Sequence, residues 1–129
     1  MHINDVTERI IAAAIEVHRH RGPGLAEVSY ERALRIELDE RGLAVTQQIG
    51  FPVVHKGRLV GRHRPDLIVE NLVIVEVKAA ERLVRVHKAQ MITYLQVTKC
   101  EVGLTLNFCA PVLKDGIQRT VLQRGEKTL

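Results

Sequence analysis

Tryptophan is absent from the 129 residues, and the other aromatics amount to two tyrosines and two phenylalanines. A surface that stacks successive bases on an aromatic platform, as single-strand-binding folds do, therefore has little material to draw on. Cysteine is almost as scarce. Cys100 and Cys109 lie near the two ends of one predicted strand, too few and too far apart for a disulfide framework or a zinc site, so both are expected to be reduced and buried. Nowhere do about eighteen apolar residues run together, and the opening MHINDVTERI carries acids, so neither a membrane span nor a signal peptide is indicated and a cytoplasmic protein is expected. Phosphate-loop, nucleophile-elbow and helix-turn-helix signatures are missing too, as are repeats, low-complexity tracts and linkers.

What is present has the composition of one globular domain over residues 1–129, with 46% hydrophobic and 26% charged residues. Nineteen Lys and Arg against fifteen Asp and Glu give a formal charge of +4, a mild bias toward anionic partners such as nucleic acid.

Periodicity orders the elements. Asp5 and Glu8 make a passable helix start, and Val6, Ile10, Ala13 and Val17 recur at helical spacing, which predicts a first helix over about residues 5–20. The GPG of residues 22–24 stops it. A second helix over about 26–41 has Tyr30, Leu34 and Leu38 as its apolar stripe and Gly42 as its end. From Leu43 the period is that of strands: VTQQIGFPVV, a turn at Lys56-Gly57, RLVGRHRPDLIV, a turn around Asn71, then LVIVEVKA. These three are expected to form an antiparallel meander. A third helix over about 83–98, an apolar strand over 102–108 and a last strand IQRTVL after Asp115-Gly116 complete an α/β order ααβββαββ.

Three charges interrupt the most apolar stretch, PDLIVENLVIVEVKA: Asp66, Glu76 and Lys78. A charge removed from water is penalised heavily unless something compensates it. In an antiparallel pair Asp66 lies opposite Glu76 only if the connecting loop holds an odd number of residues centred on Asn71. Asparagine accepts the left-handed backbone that a three-residue hairpin needs, so the sequence permits that loop. Asp66, Glu76 and Lys78 then share one face, and Val75 and Val77 turn to the other. Paired hard oxygen ligands suit Mg²⁺ or Mn²⁺, which polarises a phosphoryl oxygen and acidifies a bound water, while a partly desolvated lysine can orient or deprotonate that water. This is chemistry for phosphodiester hydrolysis. Taken alone, the pattern also fits solvated charges where a strand leaves the core, or an intrachain Glu–Lys pair. A carboxylate-pair hydrolase acting on sugars is a further alternative, and it would need neither Lys78 nor metal.

On the third helix His87, Gln90 and Tyr94 fall on about one face, although an exposed polar face accounts for each singly. Glu27, one turn before Tyr30, stands where acids also favour a helix N-terminus. Arg62, Arg64, Arg82, Arg85 and Lys88 could meet a phosphate backbone; the last three equally fit a solvated helix face. The six histidines show no metal-ligand spacing and are expected mainly at the surface.

P-D on the second predicted strand, E-x-K on the third and Q-x-x-x-Y on the following helix resemble the PD-(D/E)xK nuclease superfamily. More narrowly, G-x-x-E-x-x-Y at Gly24, Glu27 and Tyr30, with VHKAQMITYL, VGLTLNF and KDGIQR, resembles the GxxExxY proteins close to the RecB-like branch. The resemblance runs over about residues 5–122. It implies a restriction-endonuclease-like core, a central mixed β-sheet flanked by helices. It also implies a Mg²⁺- or Mn²⁺-dependent nuclease acting on nucleic acid, DNA in the first place. By the same similarity Asp66, Glu76 and the Val77 carbonyl are metal ligands and Lys78 is the catalytic lysine. Glu27 assists metal or water, Gln90 and Tyr94 steady the site, and Tyr30 and His87 stand behind it. The fold is also shared by proteins that bind without cutting, so a non-catalytic nucleic-acid-binding or scaffolding module is the alternative. The residues leave open whether the chain acts alone, as a homodimer or with a partner.

Overall fold

A computed structural model of the chain describes residues 1–122. Helix α1, Ile3–Arg21, buries Val6, Ile10, Ala13, Ala14 and Val17 along one stripe. It starts earlier than the Asp5/Glu8 pattern predicts, because a His2 ring nitrogen accepts from the Asn4 N–H and caps the helix. It ends at Gly22, whose φ of 61° suits glycine and whose N–H bonds the His18 carbonyl. Helix α2, Glu27–Glu40, turns Tyr30, Leu34 and Leu38 inward at i, i+4 and i+8.

The predicted three-strand meander is divided into five strands. VTQQIGFPVV splits into β1, Val45–Gln47, and β2, Phe51–His55, because Gln48 adopts a left-handed φ of 61° and the chain bends through Gly50. RLVGRHRPDLIV splits into β3, Arg58–His63, and β4, Leu67–Val69, at Pro65, which has no N–H to give a ladder. Strands β2 and β3 pair only with each other, around a two-residue turn at Lys56 and Gly57 with φ of 48° and 78°. They form an arm separate from the main sheet.

The main sheet has the order β1-β4-β5-β6-β7, with β5 at Val73–Lys78, β6 at Val102–Asn107 and β7 at Ile117–Val121. All pairs are antiparallel except β5 with β6, whose parallel pairing requires the crossover that helix α3, Arg85–Thr98, provides. Helices α1 and α2 cover one face through a core that includes Leu67, Val69, Val73, Val75, Val77, Leu104 and Leu106. Helix α3 covers the other through Met91, Tyr94 and Leu95 on Ile68 and Ile74. This is the mixed α/β fold expected from the sequence, a five-stranded mixed sheet flanked by helices.

The loop between β4 and β5 holds three residues, since Leu67 pairs with Val75, Ile68 with Ile74 and Val69 with Val73. Its left-handed positions are Glu70 and Asn71, with φ of 55° and 54°, so the odd loop is built with one more strained residue than expected.

A 3₁₀ turn over Leu113–Gly116 leads into β7, and there a Cβ on Gly116 would stand 2.4 Å from the backbone oxygen of Asn107. Backbone cannot yield as a flexible side chain does. Gly116→Ala should therefore lower unfolding free energy by about 1–3 kcal/mol, read from urea denaturation; an unchanged midpoint would show that the turn relaxes freely.

Candidate active site

The odd loop sets Asp66 and Glu76 opposite each other just beyond the last β4–β5 pair, on the α3 face. Here the carboxylates extend the ladder. The Asp66 N–H donates to Glu76 Oε1 at 2.7 Å, and the Val77 N–H donates to Asp66 Oδ2 at 2.8 Å. Each acid thus has one oxygen fixed by backbone and one left over. In an extended strand a residue's N–H and C=O point the same way, so the Val77 carbonyl also faces the Asp66 side. Val75 and Val77 point into the α1/α2 core, as the parity argument requires. Strand β1 ends at Gln47 opposite Leu67, so no strand residue flanks Asp66 on its outer side.

Lys78 lies two residues on from Glu76 on the same face, its Nζ 3.8 Å from Glu76 Oε2 and 3.5 Å from Gln90 Oε1. Gln90 Nε2 donates to the Tyr94 hydroxyl at 3.0 Å. Lys78, Gln90 and Tyr94 thus form a chain from strand to helix. Tyr94 is buried, and His63 of the arm meets its ring edge-on at 5.7 Å. His87 does not join this chain: its Nδ1 accepts from the Val84 N–H and fixes the first turn of α3. That bond starts the helix at Arg85 rather than near residue 83.

From α2, Glu27 Oε2 accepts from the Ala79 N–H at 3.2 Å, at the strand end carrying Lys78. Tyr30 stays away from the acids. Its hydroxyl donates to the Gly22 carbonyl and accepts from the Leu25 N–H, and its ring stacks on Phe108 with centroids 4.6 Å apart. Tyr30 therefore locks the loop that aims Glu27. Sequence reasoning missed Glu31, one turn after Glu27, whose carboxyl meets that of Asp66 and accepts from Gln47 Nε2 at 3.1 Å. The i, i+4 spacing of two acids on α2 was the available signal. Asn107 was missed as well: it is 3% exposed, donates to the Ala80 carbonyl and accepts from the Ala80 and Cys109 N–H groups, holding the chain just after Lys78.

With this arrangement in view, the comparison with protein families is decisive: the model of the PD-(D/E)XK nuclease superfamily matches residues 4–120. The chain belongs to that superfamily. No curated protein and no solved structure gives a significant match. Membership points to nuclease activity in general and to nucleic acid as the substrate, and PD-(D/E)XK nucleases generally use divalent metals such as Mg²⁺. Among the described residues no three Asp, Glu, His or Cys side chains are grouped so as to hold a metal by themselves. Two carboxylates with a neighbouring carbonyl nevertheless suit Mg²⁺, which keeps several waters and takes substrate oxygens as its remaining ligands. No described helix is long and apolar enough to cross a membrane.

The electrostatics leave these acids short of positive charge. Burial, and then the Asp66 charge, push the Glu76 carboxyl up to about 8. Burial also raises Asp66, and burial with the Asp66 charge raises Glu31. Tyr94 is pushed up to about 12 by burial and by the two acids near it. The polar face continues across the sheet through Thr105, beside Glu76, to Gln118, beside Thr105. Buried Thr105 Oγ1 and Gln118 Oε1 have no hydrogen-bond partner among the described residues. Gln118 in turn lines an open cleft of ≈ 450 Å³ with Arg82, Arg85 and Lys88, all three exposed. Arg62 and Arg64 are exposed on the other side, where the arm runs into Asp66.

One further expectation is corrected: both cysteines are free as expected, but Cys100 is buried and Cys109 only half-buried. The histidines are exposed or half-buried, and His18 packs near Phe108 and bonds the Ala110 carbonyl at 2.8 Å.

A carboxyl whose folded pKa is raised stabilises the fold fully below its unfolded pKa, and the contribution is lost as pH rises through the folded pKa. Metal-free protein should therefore lose Tm between about pH 4.5 and 8. Glu76→Gln should flatten that decline in thermal melts in EDTA; an equally steep decline in the variant would assign the effect elsewhere.

Proposed function

We propose that the chain is a metal-dependent nuclease that hydrolyses phosphodiester bonds, most directly those of DNA. Within the superfamily it stands with the GxxExxY proteins near the RecB-like branch. One observation carries the reading: buried Glu76 and half-buried Asp66 lie opposite each other on one face with the Lys78 ammonium 3.8 Å from Glu76.

Asp66, Glu76 and the Val77 carbonyl would hold Mg²⁺ or Mn²⁺, with Glu27 reaching the ion or its water from α2. When bound, the ion supplies polarisation of a phosphoryl oxygen and a more acidic water. Lys78 orients the attacking water or receives its proton, and Gln90 holds the ammonium in place. Tyr94 fixes the Gln90 amide, so the lysine points at the acids rather than into solvent. Glu31 shares a proton with Asp66 while no ion is bound, which keeps the carboxylates from repelling one another. Tyr30 and His87 act at one remove, through the loop before α2 and the first turn of α3.

A plasmid or linear duplex with Mg²⁺ or Mn²⁺ should be cut. Asp66→Ala, Glu76→Ala and Lys78→Ala should each lower the rate by at least ~100-fold. Equal activity in the variants would mean a different site. Mg²⁺ in hundred-fold excess over its Kd should also stabilise the wild type by about 2.7 kcal/mol, and should do so far less in Asp66→Asn. Salt-sensitive DNA binding with neither turnover nor a metal-dependent Tm would instead identify a non-catalytic binding module.

A further inference from the structure

The arm made by β2 and β3 is not needed to build the acids, yet its return strand runs through Arg64 and Pro65 directly into Asp66. From Gly42 to Pro65 the sequence contains no Asp or Glu, while Lys56, Arg58, Arg62 and Arg64 all fall on the arm or its root. All four are exposed, and none makes an ion pair or side-chain hydrogen bond among the described residues. Their charge is uncompensated. One face of the arm packs toward α3 through Phe51 and His63; on the other, Val54 and Leu59 pair across the strands and stand 58% and 57% exposed. The aromatics meanwhile are committed elsewhere. Tyr30, Phe108 and Tyr94 are buried in the core and Phe51 packs against the α3 cluster, so no tyrosine or phenylalanine ring is presented for stacking on unpaired bases.

We propose that the β2–β3 arm lies along a nucleic-acid duplex flanking the scissile phosphate, and that duplex rather than single strand is the substrate of the site. The inference rests on the nuclease reading above. Charge complementarity selects the occupant: a cationic ribbon without acids, rooted at the acid that meets the reacting phosphate, matches a polyanion continuing away from that phosphate. A two-stranded ribbon also matches the width of a duplex major groove. Five residues of β2 at about 3.3 Å each carry the Lys56-Gly57 turn roughly 17 Å from the arm's root, the length of about five base pairs. The exposed Val54 and Leu59 can then meet sugar and thymine-methyl surfaces.

The test uses the full chain and a fluorescein-labelled twenty-base-pair duplex, with the same strand unpaired, in EDTA so that binding is read without cleavage. Wild type should bind the duplex more tightly than the single strand. Lys56→Ala/Arg58→Ala should fold with an unchanged Tm, bind the duplex roughly ten-fold more weakly and reduce the slope of log K against log salt by about 2. Unchanged affinity and slope would overturn the arm's role, and tighter binding of the single strand would overturn the duplex assignment. A dimer in sedimentation that Leu59→Asp dissolves, with duplex binding intact, would give the arm to a second copy of the chain. Arm-dependent duplex binding without cleavage in Mg²⁺ would leave the arm in place and defeat only the nuclease reading.

Discussion

Two carboxylates held against each other, one buried and one half-buried, form the constraint around which this fold is arranged. Burial raises both carboxyls, and the Asp66 charge raises Glu76 further. The structure answers with fixed dipoles and one fixed charge. The Asp66 and Val77 N–H groups each point at the opposing acid, and Lys78 approaches Glu76 from the end of the same strand. That compensation is partial. Burial and the Asp66 charge still push the Glu76 carboxyl up to about 8.

The remaining elements serve this pair from both sides of the sheet. Helix α3 delivers Gln90 and Tyr94 to the lysine; the same crossover permits β5 and β6 to run parallel. Helix α2 delivers Glu27 and Glu31 past the end of β1, and its entry loop is tied by the Tyr30 hydroxyl to Gly22 and Leu25. The stack of Tyr30 on Phe108 makes that tie a core contact, worth about 0.5–1.5 kcal/mol beyond the area it buries. Asn107 closes the far side by holding Ala80. The G-x-x-E-x-x-Y pattern therefore has a mechanical sense: the tyrosine fixes the loop, and the loop aims the glutamate.

Much of this was legible in the chain. The pairing of Asp66 with Glu76 was one of the two outcomes that parity admits, permitted by the left-handed tolerance of Asn71, and the three-residue loop selects it. The strand divisions were not legible. Gln48 is an unremarkable left-handed residue by sequence, and alternation runs on through it, so two strands looked like one. Pro65 offered a warning that the P-D motif obscured. Helix starts were misplaced where histidine, outside the usual capping residues, supplied the bond at His2 and His87. Glu31 escaped notice although its i, i+4 spacing from Glu27 was visible, because its partner Asp66 lies far off in sequence; Asn107 acts through a contact that no local pattern encodes.

The short turn at Glu70–Leu72 has a consequence for how this chain can vary. Exposed turns ordinarily absorb insertions and deletions with little cost. This one acts as a phase counter between two strands, so a change of one residue would rotate Asp66 to the face occupied by Leu67 and Val75 and drive Leu67 into its place. Only changes of two residues at a time preserve the phase. A surface loop of three residues is thereby among the least length-tolerant segments of the molecule, for reasons that lie at the other end of the strands it joins.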